Sequence, residues 1–304
     1  MTNFTTQLPP FLQAGDSVGI VAPARKVSKE EMGPAIQFLE NAQLKVSLGE
    51  HLFAADNQFG GTDKERANDF QAMLDNPEIK AILCARGGYG SVRIIDRLDF
   101  GTFMQHPKWV CGFSDITVFH SHIHTQCHTA TLHSTLALNI PQNTSTANST
   151  FLDALFGKKI THAFPSHPLN RTGLASGEMV GGNLSMLYSL LGSPSDINTD
   201  GKILFIEDLD EYLYHIDRMI MNLKRNGKFD HLAGLVVGAM SDMHDNTIPF
   251  GRTAEEIIAE HCSEYDFPIC FGMPAGHIND NRTLIFGQAM TLDVNDASTL
   301  LSNQ

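Results

Sequence analysis

Short apolar runs alternate with amphipathic segments in the first part of the chain. These runs occupy residues 16–22, 44–48, 79–84 and 109–111. Runs of this kind predict buried strands. Between them, the capping boxes Ser28-Lys-Glu-Glu31 and Thr62-Asp-Lys-Glu65 mark the start of two helices, and a further helix is expected through Val92, Ile95 and Leu98. Regular alternation of strand and helix is typical of a parallel sheet covered on both faces.

The second half of the chain mixes helical and extended patterns without this regular alternation. Asn183 is expected to cap an apolar helix, and residues 212–223 form a long amphipathic pattern. Strand-like runs lie at 202–206, 283–286 and 289–294. We therefore expect a smaller, mixed α/β and β-rich domain here.

Two polar, loop-rich passages separate the halves, at residues 141–150 and 164–173. A boundary between them is consistent with a chain of 304 residues, which suits one large or two medium domains. The expected division is an N-terminal domain over 1–145, a linker over 146–176 and a C-terminal domain over 177–304.

Composition and charge narrow the choice of partners. The chain has 34 acidic and 21 basic side chains, a net charge of −13, and 42% hydrophobic residues, which is enough for a folded core. Nucleic acids and anionic membranes select for basic patches, so neither is expected as a main partner. The N-terminal residues lack the pattern of a signal peptide, and no uncharged apolar run is long enough to span a bilayer. A cytoplasmic location is therefore expected.

Residues 109–120 predict a strand, an abrupt turn and a helix, with Ser114 at the turn. In a nucleophile elbow, such a serine exposes its hydroxyl above the sheet. Gly112 gives the room that this turn needs. The usual pattern G-x-S-x-G is matched only in part, because Ile116 takes its last position. Taken alone, a serine at this place is more often an ordinary helix N-cap.

A glycine-rich loop, Gly87-Gly-Tyr-Gly90, follows the strand predicted over 79–84. Ligands of open α/β sheets gather at the carboxyl ends of strands, where this loop and Ser114 both fall. The loop matches neither G-x-G-x-x-G nor the P-loop, which weakens a nucleotide-binding interpretation. The backbone N–H groups of Gly88 and Asp115 could form an oxyanion hole, although a turn that starts a helix also uses glycine.

Three more side chains are candidates for chemistry or binding. Arg86, beside the glycine loop, could pair with a substrate carboxylate; an ion pair with a protein carboxylate is equally open. His277 follows a Pro-Ala-Gly turn, and Glu207 directly follows an apolar strand. A serine nucleophile needs a base and a group that orients the base. With 14 histidines in the chain, spacing alone cannot select these residues.

The stretch from His120 to His133 is rich in histidine. His120 and His124 are four residues apart and could share a helix face, as zinc ligands do. The glutamate of H-E-x-x-H is missing and no cysteine partners the pair. A polar helix face is therefore favoured, and no metal site is expected.

Five blocks of sequence resemble the signature blocks of the LD-carboxypeptidase family of serine peptidases. They are Ala85-Arg-Gly-Gly-Tyr-Gly90, Gly112-Phe-Ser-Asp115, Gly181-Gly-Asn-Leu184, Ile203-Leu-Phe-Ile-Glu-Asp208 and Gly276-His277. The likeness runs from Gly15 to about Val294, nearly the whole chain. Five blocks in the right order are much more specific than any one of them.

The resemblance implies a set of site residues and an architecture. The catalytic triad of the family falls on Ser114 as nucleophile, Glu207 as orienting group and His277 as general base. Its oxyanion hole falls on the backbone N–H groups of Gly88 and Asp115. The resemblance also implies a Rossmann-like N-terminal domain, a smaller C-terminal domain, a homodimer with the active site between domains, and no metal or cofactor.

The implied activity is acyl transfer to water. Typical members remove the terminal D-alanine from murein tetrapeptides during cytoplasmic cell-wall recycling. A smaller branch hydrolyses microcin C-type peptide–nucleotide conjugates and gives immunity to them, and the triad cannot separate the two branches. A non-catalytic peptide-binding module using the same crevice is a third possibility, which an intact Ser-Glu-His set argues against.

Overall fold

The computed structural model describes residues 6–303. Its strands are β1 Ser17–Val21, β2 Lys45–Leu48, β3 Ile79–Cys84, β4 Trp109–Gly112, β5 Thr131–His133, β6 Thr161–Pro165, β7 Gly173–Asn183, β8 Ile203–Leu209, β9 Gly234–Ser241, β10 Ile269–Phe271, β11 Leu284–Phe286, β12 Ala289–Val294 and β13 Ser298–Asn303. Its α-helices are α1 Lys29–Asn41, α2 Asp63–Asp75, α3 Gly101–Gln105, α4 Thr117–His122, α5 Ser145–Leu155, α6 Leu184–Leu190, α7 Leu213–Arg225 and α8 Ala254–His261.

Six strands form the first sheet, in the order β11-β5-β4-β3-β1-β2. All neighbouring strands are parallel except β11, which pairs antiparallel with β5. Apolar residues of α1 and α5 pack on one face of the sheet, and those of α2 and α4 pack on the other. The parallel sheet with helices on both faces, expected from the alternating pattern, is confirmed.

The second sheet has seven strands in the order β10-β9-β8-β7-β12-β13-β6. Strands β7 to β10 are parallel, whereas β12, β13 and β6 pair antiparallel. Helices α6, α7 and α8 cover one face through their apolar residues. This confirms the mixed, β-rich second half. Strand β6 and most of α5 lie within 146–176, and the domain boundaries expected around this segment stay a prediction.

The helix starts depend on the side chains that the sequence indicated. Ser28 Oγ accepts a hydrogen bond from Glu31 N at 3.2 Å, and the Glu31 carboxylate accepts one from Ser28 N at 2.7 Å. Thr62 and Glu65 form the same reciprocal pair. Each capping box satisfies two backbone donors that a helix end would leave unpaired. The predicted capping boxes are therefore confirmed.

Two local predictions were wrong. The helix expected through Val92, Ile95 and Leu98 is instead a pair of 3₁₀ turns at Ser91–Arg93 and Ile95–Arg97. In these turns a backbone carbonyl accepts a hydrogen bond from the N–H three residues further along the chain, as Gly90 O does from Arg93 N.

The polar passage 141–150 is also not all loop, because α5 begins at Ser145 after Thr144 as N-cap. Its serines and threonines are typical of turns, but Ala147, Phe151 and Ala154 recur at helical spacing and are buried.

The two sheets meet at the elbow that follows β4. Asn183 N, at the end of β7, donates a 2.9 Å hydrogen bond to Thr117 Oγ1 at the start of α4. Gly182 must lack a side chain there, because a Cβ atom would lie 2.4 Å from Thr117 Oγ1. This contact brings the carboxyl ends of β7 and β8 against the carboxyl end of β4. Within residues 6–303, no helix combines the length and the apolar character needed to cross a membrane.

Candidate active site

Ser114 lies on a strained turn between β4 and α4. Its backbone φ of +64° is in the left-handed region, which residues other than glycine rarely adopt. Gly112, with φ of +153°, makes the turn possible, since a Cβ atom there would lie 2.9 Å from Ile116 Cγ1. A strained serine between a strand and a helix is the geometry of a nucleophile elbow. A strained backbone of this kind persists mainly where function requires it.

The glycine-rich loop after β3 runs directly past Ser114. A Cβ atom at Gly87 would lie 3.2 Å from Ser114 Oγ, so the backbone approaches the hydroxyl closely because this position lacks a side chain. Gly88 has φ of +105°, and the side chain of Arg25 lies over it. Within residues 6–303, neither Gly88 N–H nor Asp115 N–H donates a hydrogen bond to another protein group. Both therefore remain able to donate to a ligand.

His277 and Glu207 form a hydrogen-bonded pair beside the elbow. Glu207, on β8, is completely buried, and its Oε2 lies 2.7 Å from His277 Nδ1. Gly276 allows this approach, because a Cβ atom there would lie 2.7 Å from the same oxygen. The imidazole also packs on Phe113, with ring centroids 4.8 Å apart. The carboxylate accepts a hydrogen bond from Nδ1–H and so fixes the tautomer in which Nε2 carries no proton.

Two opposing influences act on the pKa of His277. Burial disfavours the charged imidazolium, while the charge of Glu207 and its hydrogen bond favour it, and together these outweigh burial. The pKa of His277 is therefore raised above its ordinary value. A histidine tuned in this way can accept and return a proton near neutral pH.

Most of the site residues predicted from the sequence line one cavity of about 470 Å³. Ser114, His277, Gly88, Asp115 and Arg86 all contribute to its wall, and Glu207 lies behind His277. Among the described residues, no hydrogen bond joins the Ser114 hydroxyl to His277; such bonds are often long until substrate binds.

The cavity wall has separated charges. Arg25 and Arg86 lie on the side of the first sheet, whereas Asp208 lies on β8 of the second and Asp210 and Glu211 follow that strand. Arg86 donates a long hydrogen bond, 3.4 Å, to Lys26 O. Its alternative interpretation, an ion pair within the protein, is not realised among residues 6–303. The guanidinium group therefore remains able to bind an anionic ligand.

Sequence reasoning missed Asp208, which adjoins Glu207 and is 1% exposed. Its carboxylate accepts hydrogen bonds from Asn183 Nδ2 and Ser185 N, both at 2.9 Å. Burial, together with the charge of Glu207, raises the pKa of Asp208 to about 7. Two consecutive acids at the end of an apolar strand were the available signal, and only the first was selected. Asn183 caps α6 as predicted, with Met186 N donating to its Oδ1.

The polar helix face favoured for the histidines after the elbow was wrong, because His120, His124 and His133 are buried and His122 is half-buried. His120 shares a 2.9 Å hydrogen bond with Gly112 O, and His122 shares one with Ser195 Oγ. Burial lowers the pKa of His120 and of His124 to about 4, so both rings are neutral at pH 7. No group of three or more His, Cys, Asp or Glu side chains in the described chain is arranged to hold a metal ion.

The chain matches the profiles of two known protein domains. The profile of the LD-carboxypeptidase N-terminal domain matches residues 18–134, and that of the LD-carboxypeptidase C-terminal domain matches residues 176–292. The chain belongs to the LD-carboxypeptidase family. The resemblance inferred from the five sequence blocks is thereby confirmed, and the chain is a member of a peptidase family.

The relatives of this LD-carboxypeptidase family member carry two kinds of names. A probable murein peptide carboxypeptidase of Bacillus subtilis is 34% identical over 96% of this chain and 93% of its own length. The microcin C7 self-immunity protein MccF of Escherichia coli is 24% identical over 96% and 95%. The crystal structure of muramoyltetrapeptide carboxypeptidase from Oxalobacter formigenes superposes with a TM-score of 0.86 at 25% identity, covering 94% of this chain and 98% of that one.

Proposed function

We propose that this chain is a serine carboxypeptidase that hydrolyses the L,D-peptide bond before the terminal D-alanine of murein tetrapeptides. The main support is the placement of Ser114, on its strained elbow, in one cavity with His277, which pairs with buried Glu207 at 2.7 Å. A nucleophile, a base and a group that orients the base are the minimum set for acyl transfer by a serine.

The reaction begins at the Ser114 hydroxyl. His277 Nε2 takes its proton while Oγ bonds to the carbonyl carbon of the scissile peptide, and the carbonyl oxygen becomes an oxyanion. The C–N bond then breaks, and the imidazolium returns the proton to the leaving amine of D-alanine. Water attacks the acyl-enzyme with the same base and releases the shortened peptide. Glu207 stabilises the imidazolium during both steps without taking its proton.

Two backbone N–H groups stabilise the oxyanion in this proposal. Asp115 supplies one from the elbow, and Gly88 supplies the other from the glycine-rich loop. Both are unused by other protein groups within residues 6–303, and Gly87 lets the loop approach Ser114 Oγ. Preorganised donors of this kind often contribute the largest single part of catalysis.

Arg86 binds the terminal carboxylate of the peptide in this proposal. A carboxypeptidase has to recognise that group, and a guanidinium binds it through two parallel hydrogen bonds. Arg86 lies on the cavity wall beside the loop of Gly88. The name of the Bacillus subtilis relative and that of the Oxalobacter formigenes structure both favour murein peptides as the substrate class.

The decisive experiment is release of D-alanine from a murein tetrapeptide with a terminal L,D bond. We expect the wild-type protein to release it, and Ser114→Ala to lose at least about 10³-fold in kcat, as is typical when a serine nucleophile is removed. A matched peptide ending in L-alanine is the substrate control. Turnover that survives Ser114→Ala would refute serine catalysis.

The relationship to MccF supports a second candidate, hydrolysis of a peptide–nucleotide conjugate. If the folded wild-type protein leaves the tetrapeptide intact, a peptidyl-adenylate is the next substrate to assay. Binding of peptide without hydrolysis of either substrate would favour a non-catalytic module instead. The homodimer and the cytoplasmic location stay predictions, and sedimentation at several concentrations tests the first.

A further inference from the structure

The two N–H donors of the proposed oxyanion hole come from separate segments. Asp115 belongs to the elbow after β4, and Gly88 belongs to the loop after β3. Such donors work only when they lie about 2.7–3.1 Å from the developing oxyanion. Gly87, Gly88 and Gly90, however, allow the loop to adopt many backbone conformations. Some contact has to fix the loop relative to the elbow.

The side chain of Asp115 makes such a contact. It is 1% exposed, and its Oδ2 accepts a 2.8 Å hydrogen bond from Ser91 N, three residues after Gly88. The residue that supplies one N–H to the hole therefore holds, through its carboxylate, the loop that supplies the other. Its second oxygen, Oδ1, has no hydrogen-bond partner within the described residues.

A second buried charge holds the same peptide group from its other end. Arg66, which comes from α2 and is 2% exposed, donates from Nη1 to Gly90 O at 2.9 Å and also bonds Pro23 O and Asp63. Gly90 O and Ser91 N belong to one peptide unit. Its carbonyl is bound by Arg66 and its N–H by Asp115, so the plane of this peptide is fixed on both sides.

The buried Ser91 N–H needs a hydrogen-bond acceptor from position 115, and this acceptor need not be charged. Burying a carboxylate is unfavourable, and burial raises the pKa of Asp115 despite its bond to Ser91 and the nearby charges of Arg66 and Arg25. An apolar side chain would avoid that cost, but it would leave the buried Ser91 N–H without its acceptor. The polar group is thus explained by the contact that it makes with the loop.

We propose that the side chain of Asp115 is a positioning residue, which sets Gly88 N–H for catalysis by holding the Gly90–Ser91 peptide. This inference rests on the proposed serine mechanism. The hydrogen bond, and not the charge, carries the effect. An asparagine at this position would keep an acceptor oxygen for Ser91 N, whereas alanine or leucine would remove it.

The test compares kcat and KM on the tetrapeptide for Asp115→Asn, Asp115→Ala and Asp115→Leu, the last filling the vacated volume. We expect Ala and Leu to lower kcat by about 10- to 100-fold with KM within about threefold, since removing a whole oxyanion donor costs about 10²–10³. Asp115→Asn should keep kcat within about threefold, since the acceptor remains. Lys108→Met is the matched control, because Lys108 is also buried and bonds two carbonyls, Met73 O and Asn76 O, but lies outside the cavity.

Each outcome decides the inference. Unchanged kcat in Asp115→Ala, or an Asp115→Asn variant as impaired as Asp115→Ala, would overturn it while Ser114-dependent hydrolysis by the wild type still supports the proposed function. An equal loss of kcat in Lys108→Met would attribute the effect to lost stability and overturn it as well. If neither Asp115→Ala nor Asp115→Leu folds, the role of Asp115 is structural, and the inference is overturned as well. Absence of hydrolysis by the wild type would instead refute the proposed function itself.

Discussion

Replacing Glu207 with glutamine should impair catalysis and move its pH dependence in a defined direction. Glu207 is completely buried, its Oε2 lies 2.7 Å from His277 Nδ1, and its Oε1 has no partner within residues 6–303. Glutamine keeps the shape but removes the charge. A hydrogen bond to a charged group contributes about 1.5–3 kcal/mol, which is about 10- to 100-fold in rate. An amide that donates to Nδ1 also selects the wrong tautomer, so the expected loss in kcat is about 10²- to 10⁴-fold.

The sign of the pH effect follows from the opposing influences on His277. In the wild type, the attraction of Glu207 outweighs burial and raises the pKa of His277, so kcat/KM should rise with pH through a value above 6.5, the ordinary value of histidine. Without the charge, burial acts with little opposition and lowers the pKa. The acid limb of the kcat/KM profile should therefore move to lower pH in Glu207→Gln, although the plateau is much lower.

A second histidine–carboxylate pair provides the control for this experiment. Asp69 is 5% exposed, and its Oδ1 lies 2.8 Å from His51 Nδ1, but neither residue lines the cavity. Asp69→Asn should leave kcat and the acid limb unchanged. A profile measured from pH 5 to 9 on the tetrapeptide reports both quantities. An unchanged kcat in Glu207→Gln, or an acid limb displaced to higher pH, would refute the reasoning.

Two further predictions concern binding and the elbow. Arg86→Ala should raise KM for the tetrapeptide about tenfold or more, as loss of a charge-assisted pair would, and should have no effect on a peptide amidated at its C-terminus; an equal effect on both peptides would contradict carboxylate binding. Gly112→Ala should lower the free energy of unfolding by about 1–3 kcal/mol, because a side chain at φ of +153° is strained and its Cβ would lie 2.9 Å from Ile116 Cγ1. Urea denaturation measures this change, and a Gly112→Ala variant as stable as the wild type would contradict this account.

Local patterns in the sequence predicted those features that depend on neighbouring residues. The capping boxes at Ser28 and Thr62, the apolar strands and the turn at Gly112 are set by side chains a few positions apart. The 3₁₀ turns after Gly90 were not predictable in this way, since the first of them begins at Ser91, whose N–H is bonded to Asp115, 24 residues away. The antiparallel pairing of β11 with β5 likewise joins residues about 150 positions apart, and no local propensity encodes such a contact.

The choice between Glu207 and Asp208 shows why a site cannot be assigned from residue type alone. The two acids are adjacent on β8, so their side chains leave the strand on opposite faces. Glu207 faces the loop of Gly276 and holds His277. Asp208 faces β7 and the start of α6, where Asn183 and Ser185 occupy its oxygens. A shift of the strand by one residue would exchange the two environments, and that register is fixed by the pairing of Asn183 with Glu207. The role of each acid is therefore decided by strand pairing within the second sheet, between residues that are 24 positions apart along the chain.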